Sequence, residues 1–116
     1  MLERFKVPDT DKVYIQSNKI FELTKNILKD LGVSDEGASN SASVLIENDL
    51  RGVESHGVSN GLRLYINRYL DGTYNPKPKM KILKETPTTA KIDGDNALGT
   101  EIGPVAMQIA IDKAKK

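Results

Sequence analysis

The run Asp49-Leu50-Arg51-Gly52-Val53-Glu54-Ser55-His56-Gly57-Val58-Ser59-Asn60 gathers a hydroxyl, an imidazole, a guanidinium and carboxylates between two apolar-patterned segments. His56 is the only histidine of the chain. An unperturbed imidazole titrates at about 6.5 and so both takes and gives a proton near neutral pH. Acid/base chemistry therefore belongs in this run, and the competing reading is an ordinary polar residue at a helix end.

Ser55 adjoins His56, but neighbouring side chains on a helix or strand point in different directions, so adjacency alone makes no hydrolytic dyad. A triad needs spatial partners that the sequence does not show, which leaves a serine hydrolase without its remaining parts. Arg51 precedes the histidine by five positions and Arg63 follows by seven, both within reach of a bend over Gly52 to Gly57. An Arg fork beside a His holds a carboxylate while a proton moves. The alternative pairs both arginines, on solvent-facing helices, with Glu47 or Glu54.

Two other stretches resolve into local structure. Asp93-Gly94-Asp95-Asn96 resembles the start of a calcium loop, yet the twelfth position is Pro104 where a bidentate Glu is needed, so it reads as a turn. Gly94 to Gly103 contains three glycines before a helix but neither Gly-x-Gly-x-x-Gly nor a P-loop Lys-Ser/Thr. Tyr65 and Tyr69, one helical turn apart, read as core packing with hydroxyls at the rim.

The 116 residues suit one domain and fall short of the two-lobed build of most cofactor-dependent enzymes. Lys plus Arg number 17 against 16 Asp plus Glu, so no global field recruits nucleic acid or an anionic membrane. No apolar run nears the ~18 residues that span a bilayer, and Met1-Leu2-Glu3-Arg4-Phe5-Lys6 lacks the apolar stretch of a signal peptide. The expectation is a soluble, cytoplasmic protein. With no cysteine and one histidine, a typical zinc site is not expected.

The elements that must position the run follow from periodicity. Lys12 to Gln16 leans towards β structure, and Ser17 is a plausible N-cap for a helix with Ile20, Leu23, Ile27, Leu28 and Leu31 on one face, ended by Gly32. A second helix starts at Ser34 with Asp35 and Glu36 in its first turn and buries Ala38, Ala42, Leu45 and Ile46. It frays near Gly52, placing Asp49, Arg51, Ser55 and His56 on its last turn and the following bend. From Gly61, the positions Leu62, Tyr65, Ile66, Tyr69 and Leu70 give a third helix closed by Gly72, and Asn75-Pro76-Lys77-Pro78 cannot be helical. Lys79 to Lys84 and Thr88 to Ile92 form a hairpin around Glu85-Thr86-Pro87. A fourth helix carries Ile102, Val105, Ala106, Ile109 and Ala110 on one face, with Pro104 tolerated in its first turn, and ends in Lys113 to Lys116. The sum is an α+β piece whose last stripe lacks a later element to cover it, which predicts self-association or a partner.

The blocks Asp49 to Ser59, then Tyr65, Gly72, Asn75-Pro76 and Pro78, then Ile92 to Gly99, then Ala106-Met107 and Ala110 to Lys115, resemble the N-terminal part of the malate/L-lactate dehydrogenase family, which includes L-sulfolactate and ureidoglycolate dehydrogenases. The resemblance runs from about Lys12 onward, and its most specific block is Arg-Gly-Val-x-Ser-His-Gly. It implies a non-Rossmann fold and an oxidoreductase moving hydride between NAD or NADP and C2 of a 2-hydroxy or 2-oxo acid. His56 would be the proton donor or acceptor, with Ser55 at the same site. Many members carry a carboxylate-clamping Arg four residues after the His, where this chain has Asn60. Arg51 or Arg63 then becomes the candidate, and Asn60 retains a neutral hydrogen bond.

The resemblance further implies that 1–116 is a single N-terminal segment, with a helical part over 12–72 and a hairpin plus helix over 79–116. The cofactor-binding region, with a second His in an Asn-x-Asn-His-Phe-Gly-like block, would lie beyond Lys116. The chain alone is then expected to be inactive, and its partners to be the small acid and either a second copy or a complementary C-terminal portion. The alternatives are a subunit of a split enzyme or a non-catalytic helical interaction module.

Overall fold

The computed structural model describes residues 8–115. Residues 1–7 and 116 lie outside them, and with them the opening segment read for a signal peptide. Four helices and one hairpin follow in order: α1 (Ser17–Asp30), α2 (Asp35–Leu50), α3 (Val58–Leu70), β1 (Lys81–Glu85), β2 (Ala90–Asp93) and α4 (Gly99–Ala114). Single 3-10 turns stand at Asp9–Asp11 and Glu54–His56. The α+β expectation holds.

Helix α2 is the centre, with α1, α3 and α4 packed on it. Its local signals are strong. Ser34 caps it by accepting from the Gly37 N–H at 3.0 Å, and Asp35 and Glu36 favour the positive end of its dipole. The expected stripe of Ala38, Ala42, Leu45 and Ile46 is buried. With Leu28, Val33, Leu62, Tyr69 and Leu98 these residues form the core. Leu28 and Leu45 are fully buried, each contributing about 1.5–3 kcal/mol.

Several boundaries move. Lys12 to Gln16 forms no strand: the backbone is extended without a partner, and Val13 and Tyr14 are 82% and 90% exposed. Gln16, not Ser17, is the N-cap of α1, whose Leu23 faces outward. Gly32 ends the helix as expected, in the left-handed conformation. Helix α3 begins three residues before Gly61, at Val58, and exposes Leu70 while burying Leu62 and Tyr69. An amphipathic pattern states which side chains are apolar, and only neighbouring elements determine which of them are covered.

The hairpin is shorter than its β-leaning sequence. Glu85 belongs to β1, and the Thr86 Oγ1 accepts from the Thr88 and Thr89 N–H groups, converting the threonines into the turn. The strands pair antiparallel, Ile82 opposite Ile92. Lys113 of α4 anchors them, donating to the Thr86 carbonyl and pairing with Glu85, both at 2.7 Å. The Asp93 to Asn96 stretch is a turn, with Asp95 and Asn96 left-handed and the Ala97 N–H returning to Gly94. Asp95 accepts from Asn75 and from the Lys79 N–H, which ties the proline-rich connection to the turn.

Helix α4 starts at Gly99, so Pro104 lies in its second turn, where the missing N–H leaves the Thr100 carbonyl without its helical donor. Its expected stripe is not bare. Ile102, Val105, Ala106 and Ile109 are half-buried where α4 packs on α2 and β2, whereas Ala110, Met107 and Ile111 are exposed. Among the described residues no helix is long and apolar enough to cross a membrane.

Candidate active site

The end of α2 builds the site. After the cap Arg51, Gly52 takes φ 72, a conformation costly for any residue with a Cβ. Its N–H bonds the Asp49 carbonyl at 3.0 Å and the Val53 N–H bonds the Asn48 carbonyl at 2.8 Å, the paired bonds of a Schellman ending. The chain then makes the 3-10 turn Glu54–His56, closed by the His56 N–H on the Val53 carbonyl at 3.0 Å.

Three side chains hold that turn. Asn48 donates to the His56 carbonyl at 3.0 Å, and Asn60 donates to the Glu54 carbonyl at 2.8 Å. Asp49 accepts from the Val58 N–H at 2.9 Å, so a carboxylate on the last turn of one helix caps the first turn of the next. Its own helix places it at the negative dipole end, where a carboxylate is disfavoured, and α3 presents the positive end that accommodates it.

Within the turn, Ser55 Oγ lies 2.9 Å from His56 Nδ1. The expectation that adjacent side chains diverge fails here, because the 3-10 turn is neither a regular α-helix nor a strand. The triad is still incomplete: among the described residues no carboxylate bonds the imidazole. Both side chains are exposed, and no described residue bonds the second ring nitrogen.

The arginines separate. Arg51 Nε pairs with Glu47 Oε1 at 2.6 Å on an exposed face, as the solvent-facing reading holds for this residue. Arg63 is exposed on α3 and makes no ion pair among the described residues. Asn60, expected to keep a hydrogen bond for substrate, directs its amide to the Glu54 carbonyl and to Ser59 Oγ.

Asn48 and Asp49 were not singled out as holders of the turn in the sequence, although a carboxylate at a helix C-terminus is itself a signal that it serves a neighbour. Glu101 was also missed. It is buried beside Gly37, its carboxylate accepts from the Tyr69 hydroxyl at 3.4 Å, and its backbone carbonyl accepts from Asn40. The Tyr69 hydroxyl is therefore inside, not at the rim, and its ring stacks edge-on against Tyr74. Burial, then the Glu101 carboxylate, push the Tyr69 phenol well above its ordinary 10.0, and burial raises the Glu101 carboxyl above 4.5.

An open cavity of about 680 Å³ lies between the Lys12 to Ile15 arm and the α2–α3 corner. Asp11, Asp49 and Glu54 line it against one cation, Lys12, while His56, Ser55 and both arginines do not line it. That charge balance repels a pyrophosphate, so the cavity does not fit a dinucleotide. No cluster of His, Cys, Asp or Glu suited to a metal occurs among the described residues.

Residues 15–116 match the family described as malate/L-lactate dehydrogenase. L-sulfolactate dehydrogenase of Methanocaldococcus jannaschii is 46% identical over 81% of this chain and 27% of its own length. The solved malate dehydrogenase of Pyrococcus horikoshii superposes with a TM-score of 0.88 at 38% identity, covering 99% of this chain and 32% of that one. Ureidoglycolate dehydrogenase (NAD(+)) of Escherichia coli is 30% identical over 88% of this chain and 29% of its own. The chain thus spans about 30% of the length of these relatives, and it belongs to the malate/L-lactate dehydrogenase family, corresponding to an N-terminal portion of its members.

Proposed function

We propose that this chain contributes the acid/base group of an oxidoreductase that interconverts a 2-hydroxy acid and a 2-oxo acid, with NAD or NADP as hydride carrier. The exposed Ser55–His56 pair, held by the end of α2, carries the reading. Malate, sulfolactate and ureidoglycolate all bear a hydroxyl on the carbon next to a carboxylate. Oxidising that carbon requires a base at the hydroxyl.

With its proton on Nδ1, His56 donates to Ser55 Oγ and leaves the Nε2 lone pair to take the hydroxyl proton. In the reverse direction the imidazolium returns it to the forming alkoxide. Arg63, the arginine without an ion pair among the described residues, is the carboxylate clamp in this reading, and Arg51 is not. The dinucleotide belongs to the part of the fold that relatives carry beyond the matched portion. Residues 12–72 then serve as the acid/base part and 79–116 as the bridge towards the nucleotide part, and the chain alone does not turn over.

The test is a graft in which this chain replaces the matching portion of the Pyrococcus horikoshii malate dehydrogenase. The reading expects a 2-hydroxy acid to reduce a nicotinamide dinucleotide in the graft, and no turnover from the chain by itself. A folded graft that binds dinucleotide yet oxidises none of malate, lactate, sulfolactate or ureidoglycolate contradicts it.

A further inference from the structure

We propose that Asn48 and Asp49 form a positioning pair that fixes the ring of His56, an inference that rests on the acid/base reading above. His56 sits on a turn of three residues, too short to hold itself. Asn60 of α3 holds the start of that turn at the Glu54 carbonyl, and α2 holds its end: Asn48 donates to the His56 carbonyl at 3.0 Å, and Asp49 accepts the Val58 N–H, two residues on, at 2.9 Å. The same two residues of α2 supply the carbonyls that close the Gly52 ending. These bonds make the last turn of α2, the Ser55–His56 turn and the first turn of α3 one rigid corner.

Gly57 completes the device. Its backbone is extended, which any residue adopts, but a Cβ there would overlap the Asp49 carboxylate. The glycine after His56 is therefore required by the space that Asp49 occupies. Neither Asn48 nor Asp49 bonds the imidazole, so both act on it through the backbone. Orientation of a proton-transfer group is worth large factors, since a displacement of about 1 Å costs on the order of 10²-fold in rate.

The ring can be read directly because the chain has a single histidine. In ¹⁵N spectra of the chain, Asp49→Asn keeps an acceptor for Val58 and is expected to preserve the ring-nitrogen shifts and the Ser55–His56 contact. Asp49→Ala and Asn48→Ala are expected to change both; Asn48→Ala leaves the α3 cap in place and serves if Asp49→Ala does not fold. In the graft, Asp49→Ala is expected to lower kcat by about 10- to 100-fold with KM within about threefold, and Asp49→Asn to restore it. Added to His56→Ala, it should lower the residual rate no further, as expected for residues acting as one unit.

Unaltered ring signals in both alanine variants would overturn the proposal, as would an equal loss from Asp49→Ala in the His56→Ala background. Unchanged turnover on His56→Ala would overturn the acid/base reading alone, and the ring signals would still decide the positioning.

Discussion

The Asp49 carboxylate occupies the space that a side chain at Gly57 would need, while accepting the Val58 N–H at 2.9 Å. Gly57→Ala is therefore expected to destabilise by about 1–3 kcal/mol through overpacking, although the backbone there suits any residue. Asp49→Ala alone should cost about 1 kcal/mol for the lost cap. The pair should cost less than the sum, since removing the carboxylate removes the clash. Urea unfolding of the four species measures this, and strict additivity would show that the two residues do not compete for space.

Thr24 is fully buried, and its Oγ1 has no hydrogen-bond partner among the described residues. A stranded hydroxyl costs free energy that an apolar group of the same shape does not. Thr24→Val is expected to stabilise the chain by roughly 1 kcal/mol, read from the urea midpoint. A destabilisation of that size would mean the hydroxyl is bonded.

The caps were legible because they are local: Ser34, Gly32 and Gly52 carry their meaning within a few residues. The stripe Ala38, Ala42, Leu45 and Ile46 was legible because α2 is covered by three helices at once. Glu101 was not, since its burial depends on Tyr69 and Gly37, far away in sequence. Lys12 to Gln16 had strand-like side chains, but a strand needs a partner and the described residues offer none. In the candidate site, residue types pointed to His56, Ser55 and the arginines, while only geometry separated Arg51, paired with Glu47, from Arg63.

Glu101 predicts a pH dependence with a definite sign. Burial raises its carboxyl above the ordinary 4.5, and the Tyr69 hydrogen bond partly offsets this. The folded state therefore keeps the proton to higher pH than the unfolded chain, and this group's contribution to stability falls as pH rises from 4.5 to the raised value, then levels. Glu101→Gln should flatten that fall. Tyr69→Phe should deepen it, because the bond favouring the ionised form is gone. Urea unfolding across the range checks both, and a Glu101→Gln profile matching the parent would refute the assignment.

The two arginines give opposite expectations in the graft. Arg63→Lys should raise KM for the 2-hydroxy acid by about tenfold or more, because a point charge does not reproduce a bidentate fork. Arg51→Lys should leave KM within about twofold, as an exposed i,i+4 pair is worth little. Steady-state kinetics at fixed dinucleotide concentration measure both, and the reverse order would exchange their roles.

The proposed role of His56 is to move the substrate proton. It is tested most directly by comparing single-turnover hydride transfer in the graft with and without His56→Ala at saturating dinucleotide. A fall of about 10²–10⁴-fold is expected, with dinucleotide affinity little changed. A variant transferring hydride at near the parent rate would contradict it.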